Sequence, residues 1–79
     1  MTLTVESLSI HQCYMLRYLK RGFEFVLLSI MLVRCGCPLQ EWEALLDAHL
    51  VDCNTTTNRY NLSRAGLRLL KEAKKTRYF

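Results

Sequence analysis

Apolar residues recur along this chain at two different periods, and the switches between them mark out its elements. Leu3 and Val5 alternate with polar neighbours over 1–5, which predicts a brief strand able to pair with a later hairpin. Ser9 followed three residues on by Gln12 has the form of a capping box. Behind it Ile10, Cys13, Leu16 and Leu19 repeat at helical spacing and predict a first helix over 10–21. Gly22 stops it, and Tyr14 and Tyr18 stand at the edge of the buried stripe. From Phe23 to Val33 only Glu24 and Ser29 are polar. A run so uniformly apolar suits a buried strand as well as a helix, and Gly36 and Pro38, standing where a helix would stop, favour the second helix.

Pro38 is suited to open the third helix, in which Leu39, Trp42, Leu45, Leu46 and Leu50 fall on one side. Gln40, Glu41, Glu43 and Asp47 fall elsewhere. Trp42 keeps the register of the leucines and reads as core. The period then changes to two. Val51 and Cys53 alternate inward on one strand, Tyr60 and Leu62 on the next, around the polar loop Asn54 to Asn58. Ser63 caps a last helix whose core positions are Leu67, Leu70 and Ala73, with Leu69 as the alternative to Leu70.

Part of this pattern is specific. The stretch Leu45-Leu46-Asp47-Ala48-His49-Leu50-Val51, followed by two short strands and by Tyr60-Asn61-Leu62-Ser63 with Gly66, resembles the end of a winged helix-turn-helix domain. The resemblance is strongest over 39–73 and the first 40 residues can be laid on the same plan. It implies a mainly α domain with a small β-hairpin: three helices, a two-stranded wing and a C-terminal helix. It also implies that the third helix would enter a major groove, where Arg, Lys, Asn or Gln read base edges. Here the outward residues of that helix are Gln40, Glu41, Glu43 and Asp47, mostly of the wrong sign for phosphates, which departs from the family pattern.

Length fits a single domain over 1–79 with one small core. No stretch reaches the ~20 apolar residues that span a bilayer, so no membrane role is expected. Met1 to Val5 has neither the basic start nor the apolar continuation of a secretory leader, and a cytoplasmic location is the expectation. Cys13, Cys35, Cys37 and Cys53 then read as small apolar thiols. A zinc site drawing on these with His11 and His49 is the alternative, disfavoured because Cys35-x-Cys37 is tighter than the usual Cys-x2-4-Cys knuckle; a redox pair is a third reading. No cofactor is implied.

Charge changes the picture most. Residues 1–58 carry Arg17, Lys20, Arg21 and Arg34 against six carboxylates, whereas 59–79 carry seven cations against Glu72 alone. On a helix Arg64, Arg68, Lys71 and Lys75 recur at steps of three or four. With Arg59 and Lys74 they are the candidate DNA-binding residues, directed at phosphates of double-stranded DNA. The bland alternative is a basic last turn that suits the helix dipole and solubility. A small chain cannot surround its second helix with core, so a spare face centred on Phe25, Leu28, Met31 and Leu32 is expected to meet a second copy or another protein, with Glu41 and Glu43 as further contacts.

No enzyme is expected. Glu41 and Glu43 point apart on a helix, neither histidine has a nucleophile and an orienting acid at suitable spacing, and Gly22, Gly36 and Gly66 form no phosphate loop. Two functions therefore stay open. One is a small dimeric DNA-binding regulator. The other is a protein-interaction module on the same scaffold, an adaptor or a small inhibitor of the kind bacterial viruses encode.

Overall fold

The computed structural model describes residues 3–76. Four helices, α1 (Ile10–Arg21), α2 (Leu28–Cys35), α3 (Leu39–Asp47) and α4 (Arg64–Thr76), pack with a three-stranded antiparallel sheet of β1 (Phe23–Glu24), β2 (Val51–Asn54) and β3 (Arg59–Leu62). Short 3-10 turns at Val5–Ser7 and Phe25–Leu27 complete the chain. The fold is mainly helical, as the periodicity predicts, but its sheet has one more strand than the expected hairpin.

That strand does not come from the beginning of the chain. Thr4 and Ser7 cap the first turn reciprocally, the Thr4 N–H donating to Ser7 Oγ at 2.8 Å, so residues 3–5 form no strand; Met1 and Thr2 lie outside the described residues. The partner is Phe23–Glu24, taken from the front of the run expected to be helical. The sheet order is β1-β3-β2, with Phe23 facing Tyr60 and Glu24 facing Arg59. β3 would otherwise present one open edge, and two residues directly after α1 satisfy it. α2 proper therefore begins only at Leu28.

α1 runs over the span its capping box and Gly22 mark. The Ser9 N–H donates to Gln12 Oε1 at 2.9 Å and the Gln12 N–H to Ser9 Oγ at 3.0 Å, a cap worth about 1 kcal/mol. Cys13, Met15, Leu16 and Leu19 are fully buried, and α1 touches every other helix as well as β3. Ile10 and Leu39, both expected inside, are exposed instead. Each is the first residue of its helix, and the core is met only by the following turns.

α2 and α3 close in the same way. Past α2 the Cys37 N–H donates to Leu32 O and the Gly36 N–H to Val33 O, at 2.9 and 3.1 Å; past α3 the Leu50 N–H donates to Leu45 O and the His49 N–H to Leu46 O, at 3.1 and 3.0 Å. This doubled pattern requires a left-handed residue just beyond the helix. Gly36 adopts it at φ 65°, and His49 adopts it at φ 57° despite its Cβ. The chain thereby turns from α3 directly into β2.

The hairpin and α4 are bolted to that corner. The Ser63 N–H donates to Leu50 O at 3.0 Å and its hydroxyl to His49 O at 2.7 Å, while Ser63 Oγ accepts from the Gly66 N–H at 3.0 Å. A Cβ at Gly66 would lie 2.2 Å from Leu50 O and 2.9 Å from Leu62 Cδ2. Only glycine lets the first turn of α4 come so near. α4 contacts α1, β3 and the Val5–Ser7 turn, so Leu69 and Leu70 are buried together rather than as alternatives, along with Ala73. An aromatic group ties the sheet to α3: Tyr60 lies 5.2 Å from Trp42 edge-on, 5.7 Å from Phe23 and 4.4 Å from Phe25. Burial among these rings pushes the Tyr60 phenol above its ordinary pKa, with the charge of Cys53 adding to the shift. Cys53 itself faces solvent, against expectation, because only Val51 of β2 lies at the core end of the strand.

Candidate nucleic-acid interface

The outward row on α4 is present as its spacing dictates, with Arg64, Arg68, Lys71, Lys74 and Lys75 all exposed. Arg59 stands apart from it. It is half-buried on β3, and its Nη2 lies 3.3 Å from where a side chain on Gly22 would start, at the corner between α1 and β1.

A second concentration of charge lies where α1 and α4 pack together near the end of α2. Arg17, Lys20 and Arg21 of α1, Arg34 of α2 and Lys74 of α4 converge on one groove of about 730 Å³. Cys35 and Leu70 line it with them, and Tyr14 and Tyr18 project into it from successive turns of α1. None of the lining residues is acidic. The field inside is strong enough to act on its own members. The Lys74 ammonium is held below the ordinary lysine value, first by the charge of Lys20 close beside it, then by a little desolvation and the charge of Arg17. Like charges held this close are unfavourable unless an anion shares the space.

Of the residues in this groove the sequence pattern singled out only Lys74 for DNA binding. Arg17, Lys20, Arg21 and Arg34 were hidden by averaging, since they belong to the part of the chain whose net charge is negative. A signal was available: Arg17 and Tyr18 lie three and four residues after Tyr14, and Arg21 lies three and four after Tyr18 and Arg17, which places two rings and two cations on one side of a helix.

α3 presents the opposite chemistry. Glu43 and Asp47 are exposed, but Glu41 is half-buried and engaged. Its carboxylate accepts the hydroxyl proton of Ser9, and its backbone carbonyl accepts from Gln12 Nε2 at 3.0 Å. Glu41 therefore clamps the start of α1 to α3 and is poorly placed to meet a partner. A free outward surface on α3 reduces to Gln40, Glu43 and Asp47 beside the exposed Leu39.

The spare face of α2 exists but is turned from its expected position. Met31 is core, Leu28 and Leu32 pack against the core, and Phe25 leans on Tyr60. Facing water instead are Val26, Ile30 and Val33, at 78%, 56% and 82% exposure. A shallow apolar depression formed by Ser29, Ile30 and Val33 ends at Arg34, which also borders the basic groove.

Cys13, Cys35 and Cys37 are buried thiols, and among the described residues no three of His, Cys, Asp and Glu come together as a metal site. Burial raises the Cys37 thiol to about 11, assisted by Glu41 and Cys35. Burial likewise raises Cys35, against the opposing charge of Arg34. Both stay protonated and unreactive at neutral pH. His11 Nδ1 lies 3.0 Å from Cys35 O, joining α1 to the end of α2. No helix among the described residues is long and apolar enough to cross a membrane. Compared with protein-family models, curated proteins and solved structures, the chain matches none of them.

Proposed function

We propose that this chain is a small DNA-binding protein of winged-helix type that holds phosphates on its α1–α4 face and does not read bases with α3. The order of α3, hairpin and α4 supports the scaffold. One observation carries the function: five cations from three elements converge on a groove with no carboxylate in its lining, and the outward row of α4 adds further positive charge. Such a surface binds the backbone and discriminates little between sequences. Exposed Glu43 and Asp47 make the third helix a poor reader.

The exposed strip Val26, Ile30 and Val33 pairs two copies in this reading. Because Arg34 borders both the strip and the groove, pairing brings two basic grooves near each other. The competing reading, a protein-interaction module, draws on the same strip and on the exposed Glu43 and Asp47 of α3.

The test is binding of a labelled random-sequence DNA across a salt series. The proposal expects binding at about 50 mM salt, with a slope of log K against log salt of roughly −3, as for four or so phosphates. Absence of binding at that salt, together with Lys20→Gln and Lys74→Gln having no effect on capture of a protein partner, favours the interaction module.

A further inference from the structure

We infer that the groove between α1 and α4 accommodates an unpaired nucleotide, its phosphate on the cations and its base against Tyr14 and Tyr18, so that the protein prefers single-stranded DNA to duplex. This rests on the DNA-binding reading and narrows it. Two features separate the groove from a plain phosphate patch. The first is the pair of rings. Tyr14 and Tyr18 sit four residues apart on α1, about 6 Å along the axis, and each keeps 37% of its surface exposed. Every ring pair in the aromatic group of the sheet involves Phe23, Phe25, Trp42 or Tyr60, and neither Tyr14 nor Tyr18 takes part in it. Neither ring belongs to that group, both line the groove, and a partly exposed ring beside cations is the arrangement on which bases stack.

The second feature is shape. A convex helix can follow a duplex, but here the charge lies within a concavity of about 730 Å³ bounded by α1, α2 and α4. The outward cations of α4, Arg64, Arg68 and Lys71, continue the positive charge along the same helix. In a duplex the bases are stacked on one another and only the backbone reaches such a recess, so the rings contribute nothing. In a single strand a base is free to turn towards them while its phosphate stays near Lys20 and Lys74.

The experiment compares a labelled oligothymidylate of about 12 nucleotides with a hairpin duplex of equal charge, by fluorescence anisotropy at about 50 mM salt. The single strand is expected to bind at least about tenfold tighter. Tyr14→Leu and Tyr18→Leu keep apolar bulk at the rim of the core while removing the ring, and each is expected to weaken oligothymidylate binding about tenfold with hairpin binding unchanged. Tyr14→Phe and Tyr18→Phe, which retain the ring, are expected to bind as the parent. A circular-dichroism melt of each variant shows that the fold is intact. Equal affinity for the two DNAs, with the leucine variants behaving as the parent, overturns the single-strand inference and leaves the phosphate-binding reading standing. Binding to neither DNA overturns both.

Discussion

Two regions of this small molecule carry charge and use it in opposite ways. At the start of α3 the charge is consumed internally: Glu41 takes the Ser9 hydroxyl and offers its carbonyl to Gln12, and the result is a clamp between α3 and α1. In the groove between α1 and α4 the charge of Lys20 and Lys74 is left facing outward, and the two ammonium groups work against each other. A carboxylate with a partner within the fold is structure; a set of cations in mutual repulsion is a surface arranged for something else. The difference teaches that the sign of a segment in the sequence is a poor guide to where a field is strong. Of the five cations that line the groove, all but Lys74 belong to the stretch with a negative net charge.

The most damaging way to break the comparison is Gly66→Ala. The added methyl meets Leu50 O, a backbone atom that cannot move aside, so α4 must lift from the sheet and the groove loses one wall. A loss of about 3 kcal/mol, read as a fall in the urea midpoint, is expected, together with loss of DNA binding. Next comes the double change Lys20→Gln with Lys74→Gln. It is expected to flatten the salt slope by about 2 and to leave the melting temperature unchanged or higher, since it relieves repulsion. A clear fall in stability would show that the two lysines are structural.

The contrast is sharpened on the other side by treating the carboxylates separately. Glu41→Gln weakens the acceptor for Ser9 and is expected to cost about 1 kcal/mol, whereas Glu43→Lys leaves stability within about 0.5 kcal/mol and improves DNA binding by charge alone. Equal effects of the two on the melting temperature would remove the distinction drawn here. Alkaline pH gives a related effect near the same corner. The Cys37 thiol is raised in the folded chain, so its neutral form is favoured there. The stability it contributes is complete below its ordinary value of 9.0 and is lost as pH rises towards about 11. Cys37→Ala is expected to reduce the loss of stability over that window in a pH-resolved melt. Smallest is His49→Gly, which relieves a left-handed residue and is expected to raise stability by about 0.5 kcal/mol without altering DNA binding.

How much of this could be read beforehand depended on whether polar residues marked the phase. α1 was legible to both ends because Ser9, Gln12 and Gly22 punctuate it, and the Asn54 to Asn58 loop because a polar run separates two alternating strands. α2 was legible as an element but not in its rotation. Phe23 to Val33 holds too few polar positions to say which side faces in, so the outward residues Val26, Ile30 and Val33 changed places with Leu28, Met31 and Leu32. β1 escaped because two residues carry no periodicity and acquire a partner only once β3 is formed. The groove escaped because it is made by three helices meeting, and the sequence alone showed only the row on α4.

The solvent-facing side chain of Cys53 has a practical consequence. The other three cysteines are buried, Cys35 in the lining of the groove, so a maleimide dye or spin label added to the folded protein attaches first on β2, which contributes nothing to the groove. The same position lets two molecules cross-link in air during storage, and such a covalent pair would weigh as a dimer whatever the strip on α2 does. Molecular mass should therefore be measured under reductant, or on Cys53→Ser, before any pairing of copies is ascribed to α2.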